Sequence, residues 1–393
     1  MDKKNRRMSK KINSKKTALV RVDYNVPIKN GKILDYTRIE ASLPTISYLI
    51  QQKMTIILMT HLGRPKKINS DFSLKILIKP LERMLNKKVV FLENLQQTNI
   101  PDGSIGLLEN LRFYSGEQKN DRGFCEKLSK LGDVYINDAF GASHREHASI
   151  FGIKEFFPDR KYKGMLLESE MNQLNILKQS PKNPYTIIVG GSKIGSKIYM
   201  LETFLDIADN ILIGGGMAFP FIKHSGGEIG RSICEDRELD VVKSFLKKAK
   251  RSKTNIVFPL DFLVTNDLER QEKQSVVDSH QIPTKLMGVD IGPKTINLFN
   301  KYIVKSKSIM WNGPMGVSEI SDFSYGTRAL AESIKTATNL GTYSLIGGGD
   351  TASDISRFGF KNNFSYVSTG GGAMLEFFKN PNLPGFINLQ PLK

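Results

Sequence analysis

The sequence predicts an α/β protein of two domains, each a parallel sheet with helices on both faces, and three features carry that prediction. A chain of 393 residues exceeds what one compact core usually organises. Short β-branched runs alternate with amphipathic stretches almost from end to end, the order that builds parallel sheets. The strand-like runs are apolar without strict alternation, as strands buried on both faces require.

Taken in order, TALVRVDYN (17–25) reads as a strand and TRIEASLPTISYLIQQK (37–53) as a helix, with Ile39, Leu43, Ile46 and Leu49 at helical spacing. TIILMTHLG (55–63) is the next strand. The alternation continues through LKILIKPLERMLNK, VVFLEN, SIGLLENLRFY, DRGFCEKLSKLG and DVYINDAFGASH (133–144). One long helix is expected over 163–180, with Met165, Leu166, Met171, Leu174 and Leu177 on its apolar side. PYTIIVGG (184–191) opens a second series, whose later strands are NILIGGG, NIVFPLDFLV, SIMWNGP, YSLIGGG and FSYVSTGGG. The expected organisation is therefore residues 1–165, an interdomain helix at 166–183, and a second domain at 184–380.

Composition excludes several classes. Two cysteines, Cys125 and Cys234, cannot form a disulfide framework and fit a reduced, cytoplasmic setting. No apolar run approaches the roughly 18–20 residues of a membrane span, and the basic start lacks an apolar core of the secretory kind, since Arg21 and Asp23 interrupt the first hydrophobic stretch. Lys and Arg number 57 against 39 Asp and Glu, a formal charge of +18 that suggests phosphate-bearing partners. The lysines are scattered, and no zinc finger, basic zipper or RNP motif accompanies them, so small phosphorylated metabolites fit better than a specific nucleic acid.

Open α/β sheets bind ligands beyond the carboxyl ends of their strands. In the first half those positions hold Asp23, Asn25, His61, Arg64, Arg112, His144 and Arg145, with Arg38 opening the helix after the first strand. Guanidinium forks grip phosphate and carboxylate oxygens through paired hydrogen bonds, so this set suits a small, highly anionic metabolite. The second half ends its strands in glycine instead: GGSK (190–193), GGGMAF (214–219), WNGPMG (311–316), GGGDT (347–351) and STGGGA (368–373). Repeated glycines at strand ends let backbone N–H groups meet phosphates and point to a nucleotide.

No standard nucleotide fingerprint is present; GGSKIGSK has Ser196 after Gly195 where a Walker loop needs lysine. Lys193 and Lys197, four apart, would share a face at a helix start beside the glycine loop. Asp350 could face Mg²⁺ carried by nucleotide phosphates or act as a helix N-cap. Trp311 is expected to pack under its loop. The chemistry reads as positioning plus charge neutralisation, the pattern of phosphoryl transfer.

RVDYNVP, TRIEASLPT, THLGRPK, LLENLRFY, NDAFGASHREHAS, GGSKIGSK, GGGMAF, MGVDIGPKT, WNGPMGVSE, GGGDTA and STGGGAMLEF together closely resemble the phosphoglycerate kinase family, in family order from about residue 19 to 385. The resemblance implies two Rossmann-like three-layer domains facing across a hinged cleft, with segment 381–393 returning to the first. It implies transfer of the acyl phosphate of 1,3-bisphosphoglycerate to Mg-ADP by a monomer. Asp23, Tyr24, Asn25, Arg38, His61, Leu62, Gly63, Arg64, Arg112 and Arg145 match the phosphoglycerate side. Arg38 and Lys193 match the groups at the moving phosphoryl. Lys197, Gly288, Asn312, Glu319, Gly347, Gly348, Gly349, Asp350 and Thr351 match the nucleotide side, with Glu319 on ribose and Asp350 on the metal. Gly195, Ser196 and Ser318 depart from the family's usual serine, aspartate and phenylalanine, and residues 1–16 lack its usual lead-in and are expected to be flexible.

Overall fold

The structure, a computed structural model, describes residues 16–96, 100–192, 194, 195, 197–235, 237–269 and 274–393. Residues 1–15 of the lysine-rich start, Lys193 and Ser196 lie outside the described residues. The chain divides into two compact units, Met1–Asn172 with Asn382–Lys393, and Gln173–Pro381.

In the first unit the main strands are β1 Thr17–Arg21, β2 Thr55–Met59, β3 Val89–Leu92, β4 Ile105–Leu108, β5 Val134–Asn137 and β6 Lys161–Lys163. All pair in parallel, in the order β6-β5-β1-β2-β4-β3, and the short strand Gln390–Pro391 adds to the outer edge of β6. The chain runs outward from β1 on one side and then returns to β5 on the other, so the ends of β1, β2 and β5 meet where the strand order reverses. Helix α1, Thr37–Gln51, covers one face by burying Ile39, Ile46 and Leu49 against Val20, Ile56 and Leu58 of the sheet. The opposite face packs Leu19, Ile57 and Tyr135 beneath Phe124 and Leu128 of α2, Arg122–Ser129.

The returning C-terminal segment is held by polar contacts. Lys154, almost wholly buried, donates from Nζ to the Pro384 and Ile387 carbonyls, and Asn137 Nδ2 donates to Gly385 O at 3.0 Å.

Helix α3, Met165–Gln179, runs from one unit into the other. Its buried stripe is Leu167, Glu170, Leu174 and Leu177, whereas Met165, Leu166 and Met171 are only partly covered. Apolar spacing misplaced this face because one of its buried positions is a carboxylate, a residue that hydrophobicity assigns to solvent.

The second unit centres on β7 Tyr185–Val189, β8 Asn210–Ile213, β9 Asn255–Val257, and a separate antiparallel trio, β10 Asp261–Thr265, β11 Ser275–Asp278 and β12 Met287–Ile291. The parallel sheet is completed by β13 Ser308–Asn312, β14 Tyr343–Gly347 and β15 Tyr366–Val367, in the order β9-β8-β7-β13-β14-β15. NIVFPLDFLV is thus two strands in two sheets rather than one, because Pro259 lacks the N–H that a continuous ladder would need. Trp311 lies in β13 itself, fully buried, with Nε1 donating to Gly313 O at 2.9 Å.

Candidate active site

In the first unit, Arg38 is the second residue of α1, and its Nη1 donates to Asp23 Oδ2 at 2.7 Å. A cation in the first turn opposes the helix dipole, so helix stability does not explain its placement. Asn25 Oδ1 accepts from Gly63 N at 2.8 Å, tying the end of β1 to the end of β2. Gly63 has φ +62°, and a Cβ there would overlap the Phe72 ring, so the residue is glycine for both conformation and space. Asn110 Nδ2 donates to Leu62 O at 2.9 Å, and Arg112 donates to the Gly63 carbonyl. Side chains thereby stitch several strand ends into one surface.

Two expected residues turn their side chains inward. Tyr24 is fully buried, with its hydroxyl bonded to Ser42 Oγ at 2.8 Å and its N–H donating to Thr60 Oγ1, and Leu62 is also buried. Their side chains shape the loops from behind. Arg64 is exposed, and with Lys66, Arg112, Ser115, Arg145 and His147 it lines a cavity of about 600 Å³.

Sequence reasoning missed Arg21, which lies inside the run 17–25 read as a strand and which the structure makes the last residue of β1. It is fully buried; Nε donates to Ser149 Oγ at 2.8 Å and Nη2 reaches His61 Nδ1 at 3.0 Å. Ser149 in turn donates from Oγ to Glu117 Oε1 at 2.6 Å and from N to Oε2 at 3.0 Å. A guanidinium has no acceptor, so His61 must accept at Nδ1 and carry its proton on Nε2. Burial, then Arg21, Arg112, Arg145 and Arg38, hold His61 well below its ordinary pKa, and it stays a neutral donor. Burial and neighbouring cations also push Arg112 down to about 10. The crowding of like charge is relieved when an anion binds.

His147 is pushed down to about 4, chiefly by burial and then by Arg145 and Arg21. Its folded pKa lies below the unfolded value of about 6.5, so the folded state binds fewer protons and stability falls as pH drops from about 6.5 towards 4. His147→Gln should lose less stability between pH 7 and pH 5 than the unmodified chain, by about 1 kcal/mol after solvent screening. Melting curves at the two pH values decide it; parallel losses would remove His147 from the account.

In the second unit a cavity of about 500 Å³ lies over the ends of β7, β8, β12 and β13. Gly191, Gly215, Gly288 and Pro314 line it as backbone, Phe219, Phe262, Met287 and Val317 as apolar walls, and Glu319 and Asp350 as carboxylates. This is an apolar slot with acids at its rim. The aromatic and methionine walls carried no signal in the sequence, since buried apolar residues look alike whether they face a core or a ligand.

Lys197 is not on a helix face: it occupies the N-cap position of α4, Ile198–Phe204, and its Nζ donates to Gly190 O at 2.7 Å. Burial lowers it to about 8, against the pull of Asp350. Asn312 is buried and its carbonyl also lies 3.4 Å from Lys197 Nζ. Asp350 is exposed in the first turn of α5, Gly349–Arg357, whose N-cap is Gly348 with φ +93°; the carboxylate is therefore not the cap. Thr351 accepts at Oγ1 from Gly313 N at 2.7 Å, fastening α5 to the β13 loop. Gly347 is covered by Met374, and Gly349 is exposed beside Asp350. A Cβ at Gly195 would meet nothing, so that departure costs no packing. Ser318 is buried directly before Glu319.

The family model described as Phosphoglycerate kinase matches residues 9–380. A phosphoglycerate kinase of Thermosipho africanus (strain TCF52B) is 44% identical over 383 residues, covering 95% of each chain. One from Borrelia garinii subsp. bavariensis is 42% identical over 378 residues, covering 94% of this chain and 95% of its own. Among solved structures, phosphoglycerate kinase from Coxiella burnetii superposes with a TM-score of 0.82 at 37% identity, covering 95% of this chain and 96% of its own. That from Pyrococcus horikoshii OT3 gives 0.84 at 31% identity with the same coverage.

Proposed function

This chain belongs to the phosphoglycerate kinase family, and from that premise we propose how its residues divide the work. The reaction is the glycolytic transfer of the acyl phosphate of 1,3-bisphosphoglycerate to ADP, giving 3-phosphoglycerate and ATP, and it runs in both directions. A terminal oxygen of ADP attacks phosphorus, the bond to the acyl oxygen breaks, and the carboxylate leaves. The observation that carries the assignment of sites is the cationic surface at the β1, β2, β4 and β5 ends, with neutral His61 among the arginines.

On this reading Arg64, Arg112 and Arg145 hold the phosphoglycerate phosphate, while Asp23, Asn25, His61 and Gly63 orient the rest of the acid. Arg38 and Lys193 neutralise the phosphoryl group in transit. The nucleotide base enters the apolar slot beside Gly288. Glu319 takes ribose, and Lys197, Asn312 and the Gly347–Thr351 loop meet the phosphates. Mg²⁺ arrives as part of the nucleotide substrate, and the exposed Asp350 carboxylate suits that hard cation. Transfer needs the ligands in contact and water excluded, so closure about α3 belongs to the proposal. A cytoplasmic monomer is the proposed setting.

A coupled assay with 3-phosphoglycerate and Mg-ATP on the purified chain tests this reading; no turnover would refute it. Lys193→Ala should lower turnover at least about a hundredfold, the scale of losing one well-placed electrostatic donor. Steady-state kinetics near the unmodified value would free Lys193 from that role.

A further inference from the structure

We propose that Asp354 and Arg357 of α5 are positioning residues for Glu319, acting through the peptide unit of Ser318, and that they set discrimination between ribose and deoxyribose nucleotides. The inference rests on the reading of Glu319 as the ribose contact. Arg357 Nη2 donates both to Asp354 Oδ1, at 2.8 Å, and to the Ser318 carbonyl. That carbonyl belongs to the peptide group whose N–H is Glu319's own, so fixing its plane fixes the direction from which the glutamate side chain departs.

The surroundings make this clamp the point of control. Glu319 itself is exposed, and among the described residues no hydrogen bond holds its carboxylate. The chain is anchored on either side, by Val317 N donating to Val289 O at 2.8 Å and Ile320 N donating to Val317 O at 3.0 Å. Between these anchors, the Arg357 bond orients the one peptide that matters for ribose. Arg357 is steadied in turn by the Phe358 ring, whose centroid lies 5.2 Å away.

Asp354 is buried, and among the described residues its Oδ2 has no hydrogen-bond partner, while its Oδ1 takes the ion pair with Arg357. Burial raises its pKa, the Ser318 hydroxyl and Arg357 lower it, and Glu319 and Asp350 raise it again, which places all these groups within electrostatic reach. The departure at Ser318 acquires a reason here: a small hydroxyl residue fits beside a buried carboxylate where phenylalanine would strip its polar neighbour away. Because α5 also carries Asp350 and Thr351, the clamp links the ribose end of the slot to its phosphate end.

The test compares kcat/KM for ATP and for 2′-deoxy-ATP in the unmodified chain, Arg357→Ala and Glu319→Gln, with the KM for 3-phosphoglycerate as an internal control. The unmodified chain should prefer ATP by about tenfold, as expected for one hydrogen bond to a charged group. Glu319→Gln should erode that preference, and Arg357→Ala should reduce it at least about threefold while leaving the 3-phosphoglycerate KM unchanged. Arg357→Lys, which keeps a cation beside Asp354, should recover part of it. If Glu319→Gln loses the preference and Arg357→Ala keeps it, the clamp is refuted and the ribose assignment stands. If Glu319→Gln changes nothing, the ribose assignment fails and the clamp with it. Should Arg357→Ala not fold, Arg357→Gln is read against the same outcomes.

Discussion

Replacing Arg38 with alanine is expected to cut turnover at least about a hundredfold, because an electrostatic donor aimed at developing charge is worth roughly 3–4 kcal/mol. The guanidinium sits in the first turn of α1, where the helix dipole disfavours it, and is held at 2.7 Å by Asp23. Local stability has been set against a fixed cation, a conflict that marks functional positions. The variant should not be thermodynamically silent. Asp23 is mostly buried and would lose its ion-pair partner, at a cost of about 1 kcal/mol with Arg145 still nearby. Steady-state kinetics beside a melting curve separate the two effects: a large fall in kcat with a small fall in Tm is expected. Turnover near that of the unmodified chain would take Arg38 out of the mechanism.

Gly313→Ala is expected to raise the nucleotide KM at least about tenfold and to lower stability by about 2–4 kcal/mol, combining backbone strain with overpacking. Gly313 follows β13 with φ +100°, and a Cβ there would overlap both the Gly190 carbonyl and the Lys197 ammonium. The crossing of the β7 and β13 loops therefore has room for backbone only, and Lys197 is seated by that crossing. Gly341→Ala supplies the control. Its φ is +94°, but its surroundings are open, so it carries the strain without the overlap. Nucleotide titrations on both variants test the claim; equal KM values for the two would show that strain alone is at work.

The strand ends were legible because arginine after a strand and glycine after a strand are chemically distinctive wherever the chain places them. What sequence could not show is how distant residues combine. Arg21, Ser149 and Glu117 form a continuous buried line to His61, yet Arg21 and Ser149 are separated by 128 positions and each reads alone as unremarkable. Lys197 reads as half of a helical lysine pair, but turns back to the Gly190 carbonyl. Glu170 hid the true buried face of α3, because periodicity counts carbon and overlooks a buried acid. The walls of the apolar slot in the second unit, Phe262 and Met287, depend on an antiparallel trio that the unbroken run through Pro259 concealed.

The return of Asn382–Lys393 to the first unit has a consequence for biosynthesis. Gln390–Pro391 closes the open edge of β6, and Lys154 waits for carbonyls that follow the whole second unit in the chain. The 209 residues of Gln173–Pro381 must leave the ribosome first, a delay of roughly 10–40 s at ordinary elongation rates. Through that interval the nascent first unit carries a bare sheet edge and a Lys154 ammonium without its carbonyl acceptors, so it is begun before the second unit and completed after it.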